Sequence, residues 1–77
     1  MEMSENEVWE YKEVRVYIGD RKVFEGEEVT AEKMMELARE EGIKKFVVET
    51  ESGERLTRQD FPIREGTLYI REYNVPK

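Results

Sequence analysis

The chain contains no cysteine and no histidine among its 77 residues. Without cysteine there is no disulfide, no thiolate zinc site, no iron–sulfur cluster and no cysteine nucleophile. Without histidine, the Ser-His and Cys-His catalytic pairs and the common zinc and non-haem iron ligand sets are also excluded. The sequence therefore predicts a protein that is not an enzyme and that binds no cofactor.

Long hydrophobic runs are also missing. No apolar stretch approaches the roughly 20 residues of a membrane-spanning helix, and the opening Met1–Glu5 is acidic where a signal peptide is basic. We therefore expect a cytoplasmic protein. A chain of 77 residues is long enough for a single core, and we expect a disordered arm at 1–7, one domain at 8–74 and a short tail at 75–77.

Positive charge is in the minority. The chain has 13 lysines and arginines against 19 aspartates and glutamates, which gives a net charge of −6. This balance disfavours binding to nucleic-acid phosphates and to anionic membrane surfaces. Charged residues make up 42% of the chain, a composition typical of proteins from hot-growing organisms, which use ion-pair networks. From the charge balance we expect no membrane partner, and no nucleic-acid partner unless a local basic face provides one.

Apolar residues recur at every second position early in the domain, as a half-buried strand requires. Val14, Val16 and Ile18 share one face of this predicted strand. A turn at Gly19–Lys22 and a second strand at Val23–Glu25 complete a predicted hairpin.

A helix is predicted from Ala31 to Glu41, because residues typical of a helix start, of an apolar face and of a helix end occur there at the right spacing. Thr30 is placed to be its N-cap, and Gly42 is placed to take the left-handed conformation that ends a helix. Met35 lies at the border of the apolar stripe. The apolar stripe of the helix comprises Ala31, Met34, Leu37 and Ala38. Val29, the residue before the cap, is spaced to pack against Met34.

Three further strands are predicted after the helix, at Phe46–Thr50, Arg55–Thr57 and Thr67–Tyr73. The segment from Arg58 to Glu65 is expected to be irregular, because Pro62 cannot occupy a central position in a strand ladder. Phe61 and Ile63 of this segment are expected to fill part of the core.

This order of elements predicts an α+β domain with a mixed sheet of four to five strands in ββαβ(β)β order. One helix covers only one face of a sheet, so the other face meets solvent or a partner. The segments Val14–Ile18, Thr30–Gly42, Asp60–Ile63 and Gly66–Ile70 together resemble the ubiquitin-like β-grasp superfamily. The resemblance implies that the first and last strands lie parallel in the middle, with the helix packed behind them.

One departure from that superfamily concerns the carboxyl end. Members that are conjugated or that carry sulfur are similar in ending with Gly-Gly, whereas this sequence ends Val75-Pro76-Lys77. This ending disfavours sulfur carriage and covalent conjugation. A sulfur carrier or modifier that lacks the usual Gly-Gly end stays as the last alternative. Failure to form an adenylate or a thiocarboxylate eliminates it.

The sheet face without the helix holds the candidate site, an aromatic and basic patch comprising Arg15, Tyr17, Val47, Tyr69, Arg71 and Tyr73. Tyrosine and arginine are enriched at binding hot spots. The patch therefore favours a non-covalent protein-interaction module or small adaptor subunit, either monomeric or weakly homodimeric. Two alternatives stay open. In the first, the tyrosine rings of the patch serve only to stabilise neighbouring strands. In the second, bases of single-stranded RNA stack on this face, and RNA binding then depends strongly on the salt concentration.

Overall fold

Five strands and one α-helix make up the part of the chain that the structure describes. The structure is a computed structural model that describes residue 9 and residues 12–74. The predicted arm at 1–7 and tail at 75–77 lie outside the described residues. In chain order the elements are β1 (Val14–Ile18), β2 (Arg21–Gly26), α1 (Ala31–Glu40), β3 (Phe46–Thr50), β4 (Arg55–Leu56) and β5 (Gly66–Glu72).

The strands form one mixed, open sheet in the order β2-β1-β5-β3-β4. β1 and β5 run parallel as neighbours, with Val14 beside Gly66 and Ile18 beside Ile70. The other neighbouring strands are antiparallel. The domain is therefore α+β, and the predicted parallel pairing of the first and last strands is confirmed.

The turn between β1 and β2 is tighter than the sequence predicts. β2 begins at Arg21 rather than Val23, so that only Gly19 and Asp20 connect the two strands. Gly19 has a φ of +66°. Glycine takes this conformation at no steric cost at the first central position of a two-residue hairpin turn, which is why the ladder closes two residues earlier than predicted.

Thr30 caps the amino end of α1, as predicted. Its Oγ1 accepts a hydrogen bond from the backbone N–H of Lys33 at 3.1 Å. Val29 and Met34, on either side of the cap, are both buried in the same apolar cluster. This arrangement fixes where the chain leaves the sheet and enters the helix.

Replacing Thr30 with alanine is expected to lower the free energy of unfolding by about 1 kcal/mol, because the first turn of α1 loses its side-chain acceptor. Thr30→Ser, which keeps the hydroxyl, is expected to retain most of the stability. Urea unfolding followed by circular dichroism measures both variants. Equal stability of the alanine variant and the parent chain argues against the cap.

The carboxyl end of α1 comes one residue earlier than predicted. The N–H of Glu41 donates to the carbonyl of Ala38, only three residues back, at 3.1 Å, so the last turn tightens and the helix ends at Glu40. Gly42 has a φ of +78°, and the N–H of Ile43 also donates to Ala38, at 2.9 Å. The predicted glycine stop is therefore confirmed. Among the described residues, no helix is both long enough and apolar enough to span a membrane.

The core lies between α1 and one face of the sheet. Every buried side chain in the described part of the chain is apolar, and the set comprises Val14, Val16, Val29, Met34, Leu37, Ala38, Val48, Leu68 and Ile70. β1 and β5 bury alternate residues toward α1, and β3 buries Val48 on the same side. The residues adjacent to these in each strand therefore lie on the opposite face.

The segment between β4 and β5 closes one side of this core. It contains a short 3₁₀ turn at Arg58–Asp60, where the N–H of Thr57 donates to Asp60 Oδ2 at 2.7 Å. Phe61 and Ile63 are half-buried and pack against the core cluster, as the sequence predicts. Ile63 also pairs with Val29 through two backbone hydrogen bonds of 2.9 and 3.0 Å, so this segment is tied to the start of α1.

Candidate functional site

The sheet face opposite α1, here called the open face, contains the residues predicted for the candidate site. The two ladders place Tyr17 beside Tyr69 and Val47 opposite Arg71. Arg15 precedes Tyr17 by two positions, so it shares the same face. The structure therefore brings five of the six predicted residues together on three adjacent strands.

Tyr17 and Tyr69 form the centre of the open face. Their ring centroids are 5.7 Å apart and the rings are inclined by 31°, which is within the range of favourable aromatic pairs. Both residues are half-buried, and both belong to strands with neighbours on each side. The pair is an apolar surface held on a rigid backbone, and part of it remains accessible.

Arg15 lies in a cluster of ion pairs at the β2 side of the tyrosines. Its guanidinium contacts Glu25 at 3.2 Å and Glu13 at 3.6 Å, and Lys22 contacts Glu25 at 2.9 Å. Lys22 and Glu25 are three residues apart, and on a regular strand two such side chains point to opposite faces of the sheet. A register shift in the β1–β2 ladder instead places Lys22 opposite Tyr17 and Glu25 opposite Arg15, so both reach the open face.

This cluster makes the stability of the domain sensitive to acid. The hydrogen bond from Lys22 lowers the pKa of Glu25 below its ordinary value. A carboxylate with a lower pKa in the folded state stabilises the fold above its ordinary pKa, and this contribution disappears as the pH falls through the folded-state pKa. Because the group is exposed, the contribution is small.

Glu25→Gln is expected to lose less stability than the parent chain when the pH is lowered from neutral to below the ordinary pKa of glutamate. Thermal unfolding at the two pH values measures the difference. Lys22→Met removes the donor of the same hydrogen bond and is expected to reduce the acid sensitivity in the same direction. Identical acid sensitivity of all three chains contradicts the assignment.

Arg71 is also paired on the open face. Its Nε donates to Glu49 Oε1 at 2.5 Å, and Glu49 lies opposite Tyr69 in the β3–β5 ladder. The two arginines of the predicted patch therefore each contact a glutamate on the same surface. Their positive charge is balanced locally, which the sequence alone does not show.

Tyr73 lies just beyond β5, not within a strand as predicted. The ladder with β3 ends at the pair Phe46 and Glu72, and the Tyr73 N–H then donates to the carbonyl of Lys45 at 2.9 Å. Its side chain is 45% exposed. It borders a shallow depression whose other lining residues include Lys44, Lys45, Val47 and Arg55, so this corner of the open face is positively charged.

A second surface feature, which sequence reasoning missed, lies on the helix side of the sheet. A groove of about 690 Å³ runs between α1 and the β3–β4 edge. Its apolar lining includes Met34, Met35, Phe46, Leu56 and Phe61. Met35, at the border of the helical stripe, is the residue in the sequence that could have indicated this groove. The residues that line the groove with it, Phe46, Leu56 and Phe61, come from three segments distant in sequence.

Comparisons of the chain with protein-family models, with curated proteins and with solved structures find no match in any of the three. The functional interpretation therefore depends on the geometry of these surfaces.

Proposed function

We propose that the chain is a ubiquitin-like β-grasp domain that acts as a non-covalent protein-interaction module, or small adaptor subunit, without enzymatic activity. It docks onto its partner through the open face. The β-grasp assignment is supported by a single helix on one face of the sheet and by parallel central strands β1 and β5. The observation that carries the function is the Tyr17–Tyr69 pair at the centre of the open face.

The docking contact is apolar at its centre and polar around it. Tyr17 and Tyr69 offer large side chains with few rotatable bonds, which lose little entropy when they are buried against a partner. Arg15 and Arg71 flank them, each already held by a glutamate at 3.2 Å and 2.5 Å respectively. Such an arrangement, an aromatic centre within a polar rim, is typical of protein–protein interfaces.

The balanced charge of the rim favours a protein partner over a nucleic acid. A surface that binds phosphates needs cations whose charge is not already neutralised. The ion pairs of Arg15 and Arg71 reduce the positive field beside the tyrosines. The positive charges of Lys44, Lys45 and Arg55, beside Tyr73, support contact with carboxylates at one edge of the partner.

Affinity capture from native lysate, with nuclease present, tests this function. The parent chain is compared with Tyr17→Ala/Tyr69→Ala and with Glu36→Ala, a change on the exposed part of α1. We expect a defined protein to be captured by the parent chain and by Glu36→Ala, and to be lost with the double variant. Capture of the same proteins by all three chains argues against docking through the open face.

The RNA-binding alternative uses the same face. It is distinguished from protein docking by how strongly binding depends on the salt concentration. Fluorescence anisotropy with a labelled single-stranded RNA is measured at low and at physiological salt. Binding that weakens steeply with salt, and that is lost in the double tyrosine variant, replaces the protein-docking proposal with the RNA-binding one. We expect no binding at physiological salt.

A further inference from the structure

Trp9 is the largest apolar side chain in the protein, and it is 92% exposed. It lies five residues before β1, in a stretch whose composition is unusual. The first eleven residues contain four glutamates and no lysine or arginine, together with Val8, Trp9 and Tyr11. This N-terminal segment, residues 1–11, is therefore acidic and also rich in large apolar side chains.

The groove beside α1 has the complementary chemistry. Its floor is formed by buried and half-buried side chains, among them Met34, Val48 and Leu56, and its rim by Met35, which is 38% exposed. Of the described residues that line it, the charged ones are both arginines, Arg55 and Arg58. An apolar floor with a positive rim fits a segment that has apolar anchors between glutamates.

We propose that this groove binds the N-terminal segment of a second copy of the chain, with Trp9 as the anchor in the groove and glutamates of the segment beside Arg55 and Arg58. Tryptophan is strongly enriched among the residues that dominate binding energy. The groove shares Val47 and Arg55 with one edge of the open face, whereas the Tyr17–Tyr69 pair at the centre of that face is outside the groove lining and stays accessible.

The exposure of Trp9 favours the groove of a second copy over the chain's own groove. In the structure of one chain Trp9 is 92% exposed, so its side chain does not lie in the groove of the same copy. Two copies can exchange their segments reciprocally, which gives a closed twofold dimer.

The intrinsic fluorescence of the full chain tests this proposal, because Trp9 is its single tryptophan. Emission and sedimentation velocity are measured together from micromolar to millimolar concentration. We expect the emission to shift to shorter wavelength as the dimer forms. The proposal is overturned by emission that stays that of an exposed indole in the dimer, by a chain that stays monomeric, or by a buried indole in the monomer, which indicates docking within one chain.

Matched charge reversals locate the contact. Arg58→Glu is expected to weaken dimerisation about tenfold or more, because it places a negative charge beside the glutamates of the bound segment. Arg39→Glu changes the net charge equally but lies on α1 outside the groove lining, and it is expected to change the dimerisation constant less than about twofold. Equal effects of the two reversals indicate a general charge effect and overturn the proposal.

A mixing experiment tests whether segment and groove come from different copies. Trp9→Ala has an intact groove and no tryptophan fluorescence. Met35→Glu/Arg58→Glu keeps Trp9 but has an altered groove; if circular dichroism shows that it is unfolded, Arg58→Glu takes its place. We expect the emission of the groove variant to shift to shorter wavelength when Trp9→Ala is added in excess. Addition of Trp9→Ala/Arg58→Glu, as the control, is expected to leave it unchanged. The absence of any shift with Trp9→Ala contradicts the proposal.

Discussion

Leu68→Ala is expected to lower the free energy of unfolding by about 2–5 kcal/mol, the largest effect on stability that we predict for a single substitution. Leu68 is 3% exposed and belongs to β5, which has β1 on one side and β3 on the other. Its side chain lies in the same buried cluster as Met34 and Leu37 of α1. Removal of this side chain leaves a cavity where the helix packs on the sheet, and neighbours on both sides of β5 limit how far the cavity can collapse.

For a domain of this size, the loss corresponds to a decrease in the unfolding temperature of roughly 4–8 °C per kcal/mol. Guanidinium unfolding followed by circular dichroism measures the change. Leu56→Ala is the matched control, because Leu56 is half-buried on the edge strand β4, and we expect a clearly smaller loss for it. Similar losses for the two leucines would mean that the core is not centred on β5.

Tyr17→Ala/Tyr69→Ala is expected to weaken binding to the captured partner by about 30-fold or more, if the pair forms the hot spot of the interface. The reason is that both rings are removed from the centre of the open face, where their centroids are 5.7 Å apart. Isothermal titration calorimetry with the purified partner measures the loss. The same change also lowers the stability of the fold, by about 0.5–1.5 kcal/mol for the aromatic pair and further for the buried area that the two half-buried rings lose.

Two further variants separate binding from folding. Tyr17→Phe/Tyr69→Phe keeps the rings and is expected to retain most of the affinity. Tyr17→Thr/Tyr69→Thr removes the rings but keeps a high preference for strands, and it is expected to bind as poorly as the alanine variant while unfolding at a temperature nearer that of the parent. Full affinity in the threonine variant would show that the rings stabilise the sheet and do not contact the partner.

The helix and the core could be predicted because their signals are local in sequence. The cap at Thr30 and the stop at Gly42 act within one or two turns of the helix, and the structure shows hydrogen bonds at both positions. Alternation in β1 and β5 assigned Val16 and Leu68 to the core, and both are buried. Because one helix covers one face, this alternation also placed Tyr17 and Tyr69 on the open face.

The ion pairs and the groove could not be predicted because they depend on register and on distant segments. The alternation of apolar and polar residues in β1 predicts the face of the sheet on which Arg15 lies. It does not predict which residue of β2 lies opposite Arg15. Its contact with Glu25 depends on a bulge in the β1–β2 ladder, which no single residue in the sequence specifies. The groove likewise forms only when Met35 of α1, Phe46 of β3 and Phe61 of the later loop come together.

Docking through the open face, as we propose, is tested most directly by amide mapping of the partner complex. Nitrogen-15-labelled chain is titrated with the purified partner, and the changes in amide chemical shift are assigned along the sequence. We expect the largest changes in β1 and β5, around Tyr17 and Tyr69, with small changes along α1. The largest changes in α1 and in the segment from Thr57 to Phe61, with β1 and β5 unaffected, would contradict it.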